Sequence, residues 1–338
     1  MVLCAKVRKK EAERYIKAFE REGILDGNYR IERDAEFVYL PLRLKPEVAN
    51  NIDLEIVERE GVLLPFKPKS YVDLLSNSMP PNIVSQLPRS FDVLGDIVVI
   101  KLPDALRAHA IHIGNAILEA NRSICTVLLD EGVCGEYRVR KLTHIAGVKK
   151  TTTIHKEFGM SFELDLSKVY FSPRLANERQ RVCEEIRSPC VVIDMFAGVG
   201  PFSIAIAKKH SKARIYAVDI NPGAYFFLVR NIERNHVHNV FPVCGDASKE
   251  ILQFPDADYI IMNLPHSSEK FIFSALKKLK YGGKIFLYLI CEHEKLETKI
   301  NELKARISNG GRVCRNLIYR EVHTYSPLSS LYAFVLEC

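Results

Sequence analysis

Apolar and polar positions in the second half of the chain predict an open α/β sheet. The apolar, β-branched run 191–194 is followed by a glycine turn and then by apolar positions at helical spacing from residue 201. Further apolar runs at 214–219, 241–246 and 259–265 end in an acidic residue or an Asn-Leu-Pro turn. In an open α/β sheet, ligands bind at the edge where the carboxyl ends of the strands meet. The pattern therefore predicts four strand ends around one ligand site.

The first half of the chain predicts two smaller domains ahead of this sheet. Residues 11–20 have the pattern of an amphipathic helix, a strand follows at 36–41, and the proline-flanked segment 65–68 is interpreted as a linker. Beyond it, strands at 96–101 and 123–129 flank a helical segment. We therefore predict an α/β protein in which two smaller α/β or α+β domains precede the sheet. The predicted domains span 1–67, 69–166 and 167–338.

The glycine turn indicates which cofactor the sheet binds. Gly198 and Gly200 let the backbone approach a ligand closely, which a Cβ atom would prevent. A dinucleotide-binding turn needs a third glycine, and this sequence instead has Pro201 after the second one. An uncharged adenosyl group with an amino-acid tail fits such a turn better than a pyrophosphate does. We therefore predict that S-adenosylmethionine is the cofactor. The predicted binding residues of the turn are Asp194, Phe196, Ala197, Gly198 and Gly200.

Polar residues at the other strand ends extend this prediction. Asp219 follows the turn at the spacing of a nucleoside-binding acid and is placed to accept hydrogen bonds from the ribose hydroxyls. Asp246 is placed to meet the adenine amino group, and Asn263 begins a turn beside the sulfonium. Each residue alone could be a polar cap of an ordinary α/β core. The ordered set favours a Rossmann-like, S-adenosylmethionine-dependent methyltransferase.

The distribution of charge suggests an RNA substrate. The net charge is +7, and the segment 138–156 contains six Lys or Arg residues and no acidic residue. Such a strip can neutralise phosphates, although charge runs also form ordinary solvated surfaces. Next to a methyltransferase core, we favour RNA binding.

Composition argues against several other classes. No apolar run is long enough to span a membrane, and the N-terminus lacks the layout of a signal peptide, so a cytoplasmic location is expected. The nine cysteines include no Cys-x-x-Cys pair, so no zinc site is predicted. The methyl group of S-adenosylmethionine is already activated by the positive charge on sulfur. We therefore expect no metal.

Several motifs together resemble one known family. The segments 153–157, 168–175, 194–202 and 263–265, with Glu178 and Arg179 after the second segment, occur in this order. They resemble the archaeal and eukaryotic tRNA guanine-37 N1-methyltransferase family over nearly the whole chain. The resemblance implies methylation of N1 of the guanine just 3′ of the anticodon. It also implies a first domain that contacts the tRNA body, a middle domain that contributes to RNA binding, and no obligate protein partner.

The resemblance also implies residue roles, each with an alternative. Glu178 would accept the N1 proton, although a helical salt bridge with Arg174 is the simpler interpretation. Arg138 would hydrogen-bond the guanine O6, where negative charge grows, or else contact a phosphate. Asn263 and Pro265 would position the flipped-out base. The predicted substrate-contacting residues are Arg138, Lys149, Lys150, Tyr170 and Arg174. Tyr170 would support the base, or else pack in a strand.

Two other functions stay open. A related archaeal activity methylates carbon 7 of the wyosine precursor at the same tRNA position, and a non-catalytic RNA-binding module could retain a degenerate methyltransferase fold. Enzymes that methylate exocyclic amino groups carry an aromatic residue after an Asn/Asp-Pro-Pro turn, where this chain has His266. This difference favours a ring nitrogen as the target. His266 itself could contact the substrate or be an ordinary surface residue.

Overall fold

The computed structural model of the protein describes residues 1–43, 54–63, 70–135, 137 and 139–338. The chain forms two compact units, Met1–Lys69 and Ser70–Cys338. Arg138 and the predicted linker 65–68 lie outside the described residues. The predicted boundary between residues 166 and 167 falls inside the second unit and stays a prediction.

The first unit contains an antiparallel sheet and a helix. Its elements are β1 (Val2–Arg8), α1 (Ala12–Arg21), β2 (Glu32–Arg33), β3 (Phe37–Pro41) and β4 (Glu55–Arg59). The strands lie in the order β2-β3-β1-β4, and each pair is antiparallel. Phe19 of α1 packs with Val7 and Leu40 of the sheet in a small apolar core. The helix and strand predicted at 11–20 and 36–41 are therefore present.

A four-stranded mixed sheet with three helices opens the second unit. Its elements are α2 (Tyr71–Ser76), α3 (Pro81–Val84), β5 (Asp92–Leu94), β6 (Ile97–Ile100), α4 (Ala110–Ala120), β7 (Thr126–Cys134) and β8 (Val139–Gly147), with a 3₁₀ turn at Asp104–His109. The strand order is β5-β6-β7-β8, and only β6 and β7 are parallel. Ile113 of α4 packs against Ile100 and Val127 of the sheet, all of them fully buried.

A seven-stranded sheet follows and carries the predicted ligand site. Its elements are α5 (Ala176–Glu185), β11 (Val191–Asp194), α6 (Pro201–Lys209), β12 (Arg214–Asp219), α7 (Pro222–Arg234), β13 (Val240–Cys244), α8 (Ala247–Glu250), β14 (Ala257–Met262), α9 (Ile272–Lys278), β15 (Leu279–Glu292), α10 (Leu296–Asn309), β16 (Asn316–Ser326) and β17 (Ser329–Glu337), preceded by the hairpin β9 (Thr152–Glu157) and β10 (Met160–Asp165). Short 3₁₀ turns lie at Pro173–Leu175, Ile251–Gln253, Ser268–Phe271 and His293–Lys295.

The strand order of this sheet is that of a doubly wound fold with an antiparallel end. The order is β13-β12-β11-β14-β15-β17-β16, and the first five strands are parallel. Strand β17 runs antiparallel to both β15 and β16. The order reverses at β11 and β14, which is where open α/β sheets bind ligands. The Rossmann-like architecture predicted from the sequence is therefore present.

Both faces of this sheet are covered by helices. On one face, α5, α6 and α7 bury apolar side chains such as Val182, Phe202 and Leu228 against the strands. On the other face, α9 and α10 contribute Leu276 and Ile307. This two-sided burial explains why the central strands read as continuous apolar runs.

The hairpin β9–β10 packs against α7 through two buried asparagines, Asn231 in the helix and Asn235 directly after its last residue. The Asn231 side chain accepts a hydrogen bond from the Glu163 N–H (2.7 Å) and donates to the Glu163 carbonyl (3.2 Å). The Asn235 side chain does the same at Ser161, with distances of 3.0 and 2.8 Å. An amide side chain can satisfy both backbone groups of one strand residue. The hairpin thus docks on the helix that follows β12.

Within the described residues, no helix is long and apolar enough to cross a lipid bilayer. The same residues contain no group of three or more His, Cys, Asp or Glu side chains placed to bind a metal ion.

Candidate cofactor and substrate site

The turn between β11 and α6 needs both of its glycines, for different reasons. Gly198 and Gly200 have φ angles of +57° and +90°, in the left-handed region that side chains disfavour. A Cβ atom on Gly200 would lie 2.5 Å from Cδ1 of Leu228, so Gly200 is required for packing. A Cβ atom on Gly198 would have the Tyr170 carbonyl oxygen as its nearest neighbour, at an ordinary van der Waals distance of 3.9 Å. The Gly198 backbone is therefore accessible to a ligand.

Asp194, the last residue of β11, has a carboxylate oxygen without a hydrogen-bond partner among the described residues. The side chain is 1% exposed, and its Oδ2 accepts a hydrogen bond from the Ser203 hydroxyl at 2.7 Å. Its Oδ1 is buried and has no hydrogen-bond partner among the described residues. Burial raises the pKa of Asp194 to about 7, and the nearby Asp219 charge adds to this effect. A buried oxygen without a partner costs free energy. A ligand with a cationic N–H group would remove that cost.

Asp219 holds the glycine turn in place. Its Oδ2 accepts the Gly198 N–H at 2.7 Å, and its Oδ1 accepts the Asn221 N–H at 2.9 Å. Burial raises the pKa of this carboxyl above its usual range. Because an ionised carboxylate has about four acceptor positions, both oxygens can still accept hydroxyl groups of a ligand. Asp219 can therefore hold the glycine turn in place and bind a ribose at the same time.

Asp246 and Phe196 lie around the same edge of the sheet. Asp246 follows β13 as the cap of α8, where its Oδ1 accepts the Ser248 N–H (2.9 Å) and hydroxyl (2.7 Å). These hydrogen bonds lower the pKa of Asp246. The Phe196 ring is half-buried and meets the Phe271 ring edge-on, with 5.0 Å between centroids. Ala197, beside it, is buried and donates its N–H to the Val218 carbonyl.

The Asn263-Leu-Pro turn is fixed by hydrogen bonds from two directions. The Ser268 hydroxyl accepts the Leu264 N–H at 2.9 Å and donates to the Met262 carbonyl at 3.0 Å. The Pro265 carbonyl accepts the Ile290 N–H at the end of β15. Asn263 Oδ1 is buried and, like Asp194 Oδ1, has no partner among the described residues. Because β11 and β14 are neighbouring parallel strands, two unsatisfied oxygens follow adjacent strand ends.

Glu178 is buried within a polar network that the sequence did not reveal. Its side chain, in the first turn of α5, is 3% exposed. Tyr288 of β15 donates its hydroxyl to Glu178 Oε1 at 2.7 Å, and Arg181 pairs with the same oxygen at 3.0 Å. Arg320 of β16 forms a further ion pair with the carboxylate. Burial raises the pKa of Tyr288, which keeps its hydroxyl protonated as a donor. Arg181, Arg320 and Tyr288 therefore all contact the Glu178 carboxylate.

The alternative predicted for Glu178, a salt bridge with Arg174, is wrong. Arg174 Nε instead donates to Asp92 Oδ1 at 2.8 Å, and Arg140 Nη2 donates to Asp92 Oδ2 at 2.9 Å. Although burial opposes it, these two guanidinium groups lower the pKa of Asp92. Glu178 does form ion pairs, but with other arginines. Its role as a base stays a prediction.

The predicted substrate-contacting residues lie in different environments. Tyr170 is half-exposed in the segment before Pro173, so it is not packed in a strand, and its ring lies 5.6 Å from the Arg140 guanidinium. Lys149 is exposed, whereas Lys150 forms an ion pair with Asp96. The structure therefore brings the Tyr170 backbone next to the glycine turn, with its carbonyl oxygen 3.9 Å from the position that a Cβ atom on Gly198 would take. Lys150 and Arg174 already have acidic partners.

A wide groove elsewhere on the second unit is a weaker candidate for the functional site. It has a volume of about 790 Å³ and lies between β5, β9 and α7. Its arginines, Arg230 and Arg234, are both paired with Glu163, at 3.1 and 2.9 Å. We therefore place the candidate site at the strand ends, where the unsatisfied oxygens of Asp194 and Asn263 lie at adjacent strands, and not in this groove.

Several side chains that organise the site were not predicted from the sequence. They are Ser203, Tyr288, Arg181 and Arg320. Ser203 could have been found, because it lies one turn into the helix that follows Asp194. The partners Tyr288 and Arg320 carry no local signal, since each lies on a strand more than a hundred residues from Glu178 in sequence.

Comparison with known protein families assigns the three parts of the chain. Residues 153–313 match the family model of the TRM5/TYW2 methyltransferase domain. Residues 71–151 match the TYW2 N-terminal domain, and residues 4–50 match the tRNA methyltransferase 5 N-terminal domain.

Individual relatives agree with these matches. The chain is 42% identical over 289 residues to the tRNA (guanine(37)-N(1))-methyltransferase Trm5b of Pyrococcus abyssi, covering 85% of this chain and 84% of the relative. It is 36% identical over 239 residues to the tRNA 4-demethylwyosine(37)-methyltransferase Taw21 of Saccharolobus solfataricus, covering 70% and 91%. Among solved structures, the complex of aTrm5 and tRNALeu matches with a TM-score of 0.73 and 34% identity, covering 99% of both chains.

Proposed function

Because the chain belongs to the archaeal and eukaryotic tRNA (guanine-37 N1)-methyltransferase family, we propose that it methylates N1 of guanine 37 in tRNA with S-adenosylmethionine. The observation that carries this proposal is the pair of unsatisfied buried oxygens, on Asp194 and Asn263, beside an open glycine turn. The relatives supply the identity of the substrate. We further propose that the enzyme acts in the cytoplasm.

The residues at the strand ends fit S-adenosylmethionine. The unsatisfied Asp194 oxygen suits the ammonium group of the methionine part, and Asp219 retains acceptor capacity for the ribose hydroxyls. Asp246 would accept from the adenine amino group, beside the apolar wall that Phe196 provides. When bound, the cofactor supplies an electrophilic methyl group on a positively charged sulfur. No metal is needed for that chemistry.

Glu178 and Arg138 would divide the proton transfer between them. Guanine N1 carries a proton at neutral pH, so a base has to remove it as the new N–C bond forms. Glu178, which is held by Arg181, Arg320 and Tyr288, is the carboxylate that we propose for this step. Stabilisation of negative charge on O6 by Arg138 would assist, because it makes N1 more acidic.

The Asn263-Leu-Pro turn would position the guanine. Its anchoring to Ser268 and to β15 holds the turn rigid, and a rigid turn limits the motion of a bound base. Alignment of the base with the methyl group accounts for much of the acceleration in a reaction of this kind. Tyr170, whose ring is half-exposed and whose carbonyl oxygen lies near Gly198, would support the base from another side.

The tRNA would be held by both units. Lys149 is exposed and available to a phosphate, whereas Lys150 and Arg174 would have to exchange an acidic partner for one. The anticodon loop would lie against these residues, while the first domain would contact the tRNA body. We propose no obligate protein partner.

Methylation of carbon 7 in the wyosine precursor is the second candidate. The identity with Taw21 favours it, as does the TYW2-type match of residues 71–151. The match of residues 4–50 to the tRNA methyltransferase 5 N-terminal domain favours guanine as the substrate, because this domain is named after Trm5 and not after TYW2. A degenerate, non-catalytic module is disfavoured, because Asp194, Gly198, Gly200 and Asp219 are all present, with the two acids at the ends of β11 and β12.

One assay separates these functions. Unmodified tRNA transcripts with guanine or adenine at position 37 are incubated with isotope-labelled S-adenosylmethionine, digested, and analysed by mass spectrometry of the nucleosides. We expect labelled 1-methylguanosine from the guanine transcript and no product from the adenine control. Absence of product from guanine, with methylation of tRNA that carries the wyosine precursor, would establish the second candidate. Absence of cofactor binding would support the non-catalytic module.

A further inference from the structure

Two aromatic rings lie at the edge of the sheet just outside the Asn263-Leu-Pro turn. His266 follows Pro265 directly, and its ring meets the Tyr325 ring edge-on, with 5.9 Å between centroids and 75° between planes. Tyr325 lies near the end of β16, and the turn from β16 to β17 is at the same sheet edge as the end of β15. Because β14 and β15 are parallel, this is also the edge at which the Asn263 turn lies.

These rings are exposed although their backbone is well anchored. Tyr325 is 57% exposed, and Leu328 at the tip of the hairpin is 74% exposed. The tip is held by a hydrogen bond between the Ser326 and Ser329 hydroxyls (2.7 Å) and by the His293 N–H, which donates to the Leu328 carbonyl at 3.1 Å. Exposed aromatic rings on a fixed backbone are available for a nucleobase to stack on. Ordering this hairpin on binding would therefore cost little entropy.

We propose that Tyr325 and His266 form a stacking surface for a nucleobase that flanks the target guanine in the RNA substrate. This inference rests on the proposed function and extends it to a neighbouring nucleotide. Single-stranded RNA is commonly bound by stacking of its bases on aromatic side chains. A base that is flipped into a pocket leaves its neighbours without a stacking partner. An aromatic surface at the rim replaces that lost stacking.

The position of the rings favours a flanking base over the target base. The unsatisfied Asn263 oxygen is buried, so the target is recognised inside the site. His266 is the third residue after Asn263 and is exposed, and Tyr325, on the hairpin of β16 and β17, is exposed as well. Enzymes for exocyclic amino groups place an aromatic ring on the turn itself. In this chain the tyrosine comes from a different strand, which displaces the ring toward the neighbouring nucleotide.

The test measures how the ring and each RNA base depend on one another. The substrate is an anticodon stem-loop RNA with guanine 37, and matched RNAs are abasic at position 36 or at position 38. Binding is measured by fluorescence anisotropy in the presence of S-adenosylhomocysteine, and methylation is measured under single-turnover conditions. The variants are Tyr325→Ala, Tyr325→Phe and His266→Ala. Tyr281→Ala is the control, because Tyr281 is 84% exposed near the start of β15, at the opposite edge of the sheet.

We expect Tyr325→Ala to weaken RNA binding about tenfold, within the range that stacking of one base provides. Tyr325→Phe should bind nearly as the unchanged protein does, because it retains the ring. The single-turnover rate at saturating RNA should change less than the affinity. On one of the two abasic RNAs the effect of Tyr325→Ala should disappear, which identifies the stacked base.

Three results would overturn the inference. They are equal RNA affinity of Tyr325→Ala and Tyr281→Ala, an undiminished Tyr325→Ala effect on both abasic RNAs, and an effect confined to the rate at saturation. Thermal melting of each variant checks that the hairpin remains folded. If the unchanged protein binds these RNAs but forms no 1-methylguanosine, the proposed function fails, while the binding comparison still decides the role of the rings.

Discussion

Replacing Asp194 with asparagine should stabilise the protein without cofactor and weaken its binding of cofactor. Burial raises the pKa of Asp194 to about 7, compared with about 3.9 in an unfolded chain. Between these two pH values the folded protein binds the Asp194 proton more tightly than the unfolded chain does. The free energy of unfolding therefore falls as the pH rises through this range and reaches its lower limit above pH 7. At about 1.4 kcal/mol per pH unit, the penalty is on the order of 1–2 kcal/mol at pH 5 and about 4 kcal/mol at pH 8.

Urea unfolding of the protein without cofactor measures this penalty. Asp194→Asn should exceed the unchanged protein in free energy of unfolding, and the difference should grow by about 2–3 kcal/mol from pH 5 to pH 8. Asp246→Asn is the matched control at the same sheet edge. Hydrogen bonds from Ser248 lower the pKa of Asp246, so it is ionised in both states across this pH range, and its effect should not vary with pH.

Calorimetry measures how much the same carboxylate contributes to cofactor binding. If the unsatisfied oxygen of Asp194 accepts a hydrogen bond from the ammonium group, the ionised form is required. The affinity for the cofactor should then fall about tenfold for each pH unit below 7. Asp194→Asn should bind about 10- to 150-fold more weakly at pH 8, as expected for a lost hydrogen bond to a charge, and its affinity should be nearly independent of pH. A constant stability difference from pH 5 to pH 8 would show that Asp194 does not titrate in this range. Unchanged affinity would remove Asp194 from the cofactor site.

Three further predictions concern the base, the ribose contact and the first domain. Glu178→Gln should lower single-turnover methylation by about 10²–10⁴ while cofactor and tRNA binding are retained; loss of folding instead, seen by circular dichroism, would show that the ion pairs with Arg181 and Arg320 are structural. Asp219→Ala should weaken S-adenosylmethionine binding by about 1.5–3 kcal/mol in calorimetry, and an unaltered affinity would limit Asp219 to holding the Gly198 N–H. A protein truncated to begin near Lys69 should methylate at saturating tRNA but lose its preference for whole tRNA over an anticodon stem-loop; equal losses on both RNAs would mean that the first domain is structural.

The backbone of the site could be predicted from the sequence because its signals are local. A β-branched run, two glycines and an apolar helical pattern specify the strand, turn and helix around Gly198 within about twenty residues. Parallel topology then brings the ends of β11, β12, β13 and β14 to one edge without further information. The positions of Asp194, Asp219, Asp246 and Asn263 therefore follow from where they stand along the chain.

The partners of the charged side chains were decided only by the tertiary structure. Arg174 is one helical turn from Glu178, and the local rule pairs them, yet Asp92 takes Arg174 from 82 residues away. Tyr288, 110 residues from Glu178, lies in an apolar strand where a tyrosine predicts only burial. Local patterns determine backbone conformation because each residue constrains its neighbours in sequence. Side chains pair across strands according to register and packing, and these depend on the whole sheet, so Glu178, Tyr288 and the ring of Tyr325 acquired their surroundings only when the sheet assembled.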